Sequence, residues 1–257
     1  MEKTSRTDLK FYGRRKGKAI RPNRQSAYNL VMPWAQIKID ERSATSQATH
    51  PSESRDPADP GFRRGGEELK PIDPKSFFDF PVEEVWLEIG FGNGEQLIHQ
   101  ALQNPDIGMI GCEPFMNGVA ALCRDIKDKG IKNIRIWQDD ARLLMPRFKN
   151  HSFARCFLLN LDPWPKKRHH KRRFVQQETL DDLHRLLKKG SELRMSTDDP
   201  SLAVWELEKT YFHKGYKWLA ESASDWRNRP ADMLETRYQK KGATAGRPTV
   251  FLRFETV

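Results

Sequence analysis

Cysteine is scarce in this sequence: three thiols in 257 residues, Cys112, Cys123 and Cys156, with no CxxC spacing. Each lies among apolar neighbours, so reduced, buried thiols are expected and no chemistry is assigned to them. At this length a disulfide-stapled miniprotein is excluded. Long apolar runs are missing as well. Nothing approaches the roughly 20 residues needed to cross a bilayer, and the first 19 residues carry charge where a secretory leader needs an apolar stretch. The expectation is a soluble cytoplasmic protein with no membrane partner. No internal repeat of about 20 to 50 residues is visible. Acidic charge is in deficit: Lys+Arg 45 against Asp+Glu 35 gives a formal +10. That balance points to a polyanionic partner.

With 37% hydrophobic and 10% aromatic residues the chain has material for one good core plus a solvated tail. Residues 1–39 read as a basic N-terminal arm, because FYGRRKGKAIRPNR, from Phe11 to Arg24, places six Lys/Arg among Gly and Pro. Its Arg14 and Arg15 are candidate phosphate contacts, and the more apolar part from Gln25 to Ile39 is suited to docking. Residues 40–75, rich in Ser, Pro, Gly and charge, read as a linker or mobile loop, since burial there cannot offset ordering entropy.

From residue 76 onward, apolar bursts alternate with helical periodicity, the pattern of a mostly parallel sheet covered by helices. Strands are predicted at Val85–Gly90, Gly108–Glu113, Asn133–Gln138, Ala154–Leu161 and Glu192–Ser196. Helices are predicted at Gly94–Gln103, Phe115–Lys129, Ala141–Met145, Arg172–Lys188 and Pro200–Lys214. Tyr216–Ser222 and Thr249–Glu255 come next without a long helix between them, which predicts an antiparallel pair at the sheet edge. The expected class is therefore α/β, Rossmann-like, with an antiparallel C-terminal edge.

VWLEIGFGNGEQL is a short strand, three glycines (Gly90, Gly92, Gly94) and a helix start. Such a loop turns tightly and brings backbone N–H groups to a ligand at a helix N-terminus. Glu113 ends the next strand 19 residues after Gly94, where open α/β sheets place an acid against ribose hydroxyls. Two ligands compete, a nicotinamide dinucleotide and S-adenosylmethionine. The dinucleotide spacing is GxGxxG, and here the third glycine comes one residue early. Glu88, inside the first strand, repels a pyrophosphate but suits the ammonium of a methionine moiety. The spacing favours S-adenosylmethionine. Asp139 and Asp140 follow the third strand, where a carboxylate accepts from an adenine amino group or caps the helix at Ala141.

The fourth strand runs FLLNL into Asp162-Pro163-Trp164-Pro165, then Lys166, Lys167, Arg168, His169, His170, Lys171, Arg172 and Arg173. Ligands bind beyond the carboxyl ends of parallel strands, so Asp162 is expected in the glycine-loop cleft, held by two prolines. Six Lys/Arg in eight residues call for an anionic partner, and phosphates are the natural one. The adjacent histidines lack a third matching ligand, so no metal is assigned.

In order and spacing, LEIGFGNGE, GCEPF, QDDA, LDPWPKKRHHKRR, STDD and TRYQKKG resemble the bacterial type of the tRNA (guanine-N7-)-methyltransferase family, from about Val85 to the C-terminus. The resemblance implies a class I S-adenosylmethionine-dependent methyltransferase fold and methyl transfer to N7 of a guanosine in the tRNA variable loop. It implies cofactor contacts at Glu88, Glu113, Asp140 and Asp162, with Asp162 also catalytic. Substrate contacts are implied at Lys166, Asp198, Thr236, Arg237, Tyr238 and Gln239. The commonest form of the last tetrad is Thr-Lys-Phe-Glu, so Gln239 replaces a carboxylate. Phosphate contacts are expected from Lys167, Arg168, Lys171, Arg172 and Arg173. No obligate protein partner is implied, and both a monomer and a homodimer stay open. The competing readings are a methyltransferase of another RNA or of DNA, a non-catalytic RNA-binding protein, and an NAD-dependent oxidoreductase.

Overall fold

The computed structural model describes residue 15 and residues 17–39, 63–64, 67–68 and 70–257. Arg14 and most of the stretch read as a linker lie outside the described residues. Seven strands form the main sheet: β1 (Glu84–Ile89), β2 (Ile107–Cys112), β3 (Ile134–Trp137), β4 (Phe153–Leu159), β5 (Leu187–Thr197), β6 (Tyr216–Trp218) and β7 (Val250–Thr256). Their order is β3-β2-β1-β4-β5-β7-β6. The first five run parallel, while β7 is antiparallel to both β5 and β6. The C-terminal hairpin is antiparallel as expected, with β7 inserted beside β5 and β6 left as the edge.

β1 is an apolar run because both its faces are covered. Val85, Leu87 and Ile89 enter one core with β5 and the helix α5 (Gln177–Leu186). Trp86 faces the other, which contains residues of α1 (Pro22–Ala35), α2 (Glu95–Gln103) and α3 (Met116–Lys129). By strand alternation Glu88 shares the Trp86 face. Helix α1 comes from the segment read as an arm: Ala27, Val31, Met32 and Ala35 are buried, and the Ile37 N–H donates to the Ile136 carbonyl at 2.8 Å. Residues 72–75, read as the end of the linker, are also fastened: the Ile72 N–H donates to the Arg147 carbonyl at 2.7 Å and Asp73 caps a turn of 3-10 helix at Pro74–Phe77.

Helix α5 begins five residues later than predicted. The basic block forms a 3-10 helix (Lys167–Arg172), and a capping box between Gln176 and Thr179 starts α5 afresh at Gln177. β5 in turn reaches back to Leu187, past a register shift between Phe153 and Arg155. Among the described residues four more α-helices are present: α4 (Ala141–Leu144), α6 (Pro200–Tyr211), α7 (Ala223–Arg227) and α8 (Arg237–Thr244). Among the described residues no helix is long and apolar enough to cross a membrane.

Candidate active site

Two clefts open at the carboxyl ends of the parallel strands and share Gly90, Gly92 and Asn160. The first, of about 410 Å³, is lined by the glycine loop, Glu113, Phe115, Asp139 to Arg142, Asp162 and Trp164. All three loop glycines have positive φ: 73° at Gly90, 57° at Gly92 and 78° at Gly94. At Gly90 a side chain is also excluded by space, since a Cβ would stand 2.4 Å from a Leu161 methyl. Glu113 fixes the loop from the next strand. Its Oε2 accepts the Gly92 N–H and its Oε1 the Phe115 N–H, each at 2.8 Å, leaving further lone pairs toward the cleft. Burial raises the Glu113 pKa, and the two amides oppose that shift. Glu88, 3% exposed, lines the adjoining second cleft rather than this one, and its Oε2 has no hydrogen-bond partner. Burial, and secondarily the Glu113 charge, push its pKa up to about 8.

At the far side, Asp140 caps α4 through the Arg142 N–H at 3.0 Å and its carboxylate also receives the Arg142 guanidinium. The helix-cap role is therefore present, with Asp140 still lining the cleft. Asp139 is paired with Arg15 at 2.9 Å. Arg15, read as a phosphate contact, thus carries an ion pair, and the arm is strapped over the start of α3. The Met116 N–H donates to the Arg15 carbonyl at 3.0 Å, the Gly17 N–H to Asn117 Oδ1 at 2.9 Å, and Asn117 Nδ2 to the Lys18 carbonyl at 2.7 Å.

The second cleft, of about 390 Å³, is lined by Glu88, Asn93, Glu95, Asn160 and the tetrad Thr236 to Gln239. Asp232 anchors the incoming loop to Arg194 at 2.7 Å. Glu95 then accepts both the Arg237 N–H at 2.8 Å and its Nε at 2.5 Å, which ties the tetrad to the helix after the glycine loop. Thr236 and Gln239 form a capping box, and Gln239, 4% exposed, holds the Thr236 N–H at 2.9 Å. An amide serves as well there as a carboxylate, so the Gln239 carbonyl oxygen is engaged at the helix start while the residue also lines the second cleft. Asp198 is nearly enclosed, accepting from the Tyr238 hydroxyl at 3.2 Å and Arg247 Nε at 3.0 Å.

Asp162 sits exposed at the lip of the first cleft, facing the same space as Glu113 and Gly90. Trp164 has φ +44° and carries the Arg172 guanidinium over its ring at 5.0 Å. Lys166, Lys167, Arg168 and Lys171 are exposed. Arg173 is not: it is 1% exposed and bonded to protein groups throughout, so its assignment to RNA phosphate is withdrawn. Cys112, Cys123 and Cys156 are buried, and burial pushes the Cys123 thiol up to about 12.

Sequence reasoning missed Asn160. It directly follows β4 with φ +51°, lines both clefts, and its buried Oδ1 has no partner. The signal was available, because an amide interrupts the apolar run FLLNL two residues before Asp162.

The family described as "Putative methyltransferase" matches residues 82–252. The tRNA (guanine-N(7)-)-methyltransferase of Rhodospirillum rubrum is 39% identical over 247 residues, 96% of this chain and 88% of that protein. The protein of the same name from Roseobacter denitrificans is 41% identical over 254 residues, 99% of each chain. Among solved structures, an rRNA methylase from Streptococcus thermophilus aligns over 69% of this chain and 89% of its own, at 14% identity and TM-score 0.46.

Proposed function

The chain belongs to the tRNA (guanine-N(7)-)-methyltransferase family, S-adenosylmethionine-dependent enzymes of class I methyltransferase fold, and we propose that it methylates N7 of a guanosine in the tRNA variable loop through the cleft bounded by Gly90, Glu113 and Asp162. S-adenosylmethionine supplies an electrophilic methyl on a sulfonium sulfur. The residues fit that molecule: the buried, unpartnered Glu88 oxygen suits an ammonium, Glu113 keeps lone pairs for ribose hydroxyls, and the glycines leave space for close approach. Asp140 and Asp162 complete the holding set.

Guanine N7 carries an in-plane lone pair and no proton, so its attack needs no general base. Alignment and electrostatics carry the catalysis. Asp162 accepts hydrogen bonds from the guanine edge and stabilises the positive charge that grows on the ring. Thr236, Arg237 and Tyr238, beside the second cleft, border the incoming nucleotide, and Asp198 steadies Tyr238. Lys166, Lys167, Arg168 and Lys171 hold phosphates. The basic arm with its linker adds RNA contacts to the methyltransferase domain, and the chain works in the cytoplasm without an obligate protein partner.

The observation that carries this reading is the shared lining of one cleft by the glycine loop, Glu113 and Asp162. The test is incubation of the purified chain with unmodified tRNA and methyl-labelled donor, then nucleoside digestion and mapping. Label in 7-methylguanosine of the variable loop is expected. Label in another nucleoside, or none, refutes the proposal.

A further inference from the structure

A guanidinium sealed beneath the turn that carries Asp162 has a different task from the cations around it. Arg173 Nε donates to the Pro163 carbonyl at 2.8 Å. Its two terminal nitrogens reach Ser201, at the first turn of α6: one donates to the carbonyl at 3.1 Å, the other to Oγ at 2.8 Å. The planar group also lies over Trp205 at 5.2 Å, and the Trp205 indole N–H is fixed on the Val175 carbonyl at 2.7 Å. With 1% exposure, nothing of this side chain is left for a phosphate.

The gripped carbonyl belongs to the peptide joining Pro163 to Trp164, so Asp162 and Trp164 flank the point of attachment. Trp164 has φ +44°, a left-handed backbone that a bulky residue keeps only where its surroundings hold it. Arg172 steadies the ring from outside, and Arg173 holds the main chain from within. A guanidinium suits this task because its fork is rigid and planar, which an ammonium on a flexible stem does not reproduce.

We propose that Arg173 is a positioning residue for methyl transfer, fastening the Asp162–Pro163–Trp164 turn to the start of α6 and so setting where Asp162 and Trp164 meet the purine. The inference rests on the methyltransferase reading of the cleft. The basic block then divides into a phosphate-binding outer face and one inward strut.

Arg173→Lys keeps the charge and loses the fork; Ser201→Ala removes one of the strut's anchors. For both, the measurements are the single-turnover rate at saturating tRNA, the tRNA Kd across a salt series, and thermal melting. In Arg173→Lys the rate is expected to fall about tenfold or more, with Kd and its salt slope unchanged. Ser201→Ala is expected to lose a few-fold in rate, also at unchanged Kd. A wild-type rate in folded Arg173→Lys overturns the proposal. So does a loss confined to tRNA affinity with the rate unchanged, which would return Arg173 to the phosphates. Should Arg173→Lys fail to fold, Ser201→Ala decides, and a wild-type rate there overturns the proposal. A wild-type chain unable to methylate tRNA would overturn the functional reading and this inference together, whereas failure of Arg173 alone leaves the reading standing.

Discussion

Gly118, on the first turn of α3, lies so close to the glycine loop that a Cβ on it would stand 2.2 Å from the Gly92 carbonyl oxygen. The obstacle is backbone, which cannot swing aside as a side chain does. Gly92 is tethered by its N–H to Glu113, so the loop cannot shift away without straining that hydrogen bond.

Gly118→Ala is therefore expected to destabilise the fold by about 1–3 kcal/mol through overpacking and to weaken S-adenosylmethionine binding by roughly tenfold or more. Gly92→Ala meets no protein atom within 4 Å, so its fold carries only the penalty of φ +57°. Chemical unfolding and direct binding of labelled donor measure both effects. Wild-type stability and cofactor affinity in Gly118→Ala would show that the α3 contact does not shape the loop.

Glu88 gives the protein a pH signature. Its carboxyl is pushed from 4.5 to about 8, by burial first and Glu113 second, so between those values the folded chain retains a proton that the unfolded chain has released. Stability attributable to this group is full below about pH 4.5, declines by up to roughly 1.4 kcal/mol per unit as pH rises, and levels off above about 8. Glu88→Gln should flatten urea-derived stability across that window; curves running parallel to the wild type would reject the assignment. An ammonium arriving at Glu88 favours the carboxylate, so cofactor binding at neutral pH should also release a proton, detectable by calorimetry in buffers of different ionisation enthalpy.

Asp162→Ala should lower the single-turnover rate, at saturating donor, by on the order of a hundredfold or more while tRNA Kd stays near wild type, because the proposed task of this carboxylate at the cleft lip is chiefly to stabilise the charge that grows on the purine during transfer. A near-normal rate would remove Asp162 from the chemistry.

The strands and the glycine loop were legible because burial on both faces leaves continuous apolar runs, and because the turn before α2 demands glycine. Helix α1 was less so. Pro33 sits inside it, and its buried Ala27, Val31 and Met32 face a partner supplied by α3, far away in sequence. In the basic block, composition counts cations without telling which one turns inward. The clue at Arg173 is its C-terminal neighbours, the apolar pair Phe174 and Val175, which take the chain back into the core. Gln239 shows a related limit: a motif position says where a residue lies, and only the capping geometry at Thr236 shows what its carbonyl oxygen holds.

That division of the block leads to the final prediction. Lys166, Lys167 and Arg168 are exposed, come directly after the Asp162 turn, and are free to displace counterions from RNA, whereas Arg173 is enclosed. Each phosphate contact contributes roughly 0.7–0.9 to the slope of log K against log salt, so replacing all three by Ala should flatten that slope by about two to three units and weaken tRNA binding most at low salt. The fold should be unaffected, since none of the three is buried. Fluorescence or filter binding over a salt series gives the slope directly. If it stays the same, the RNA backbone runs elsewhere, and the arm around Arg15 becomes the principal anchor.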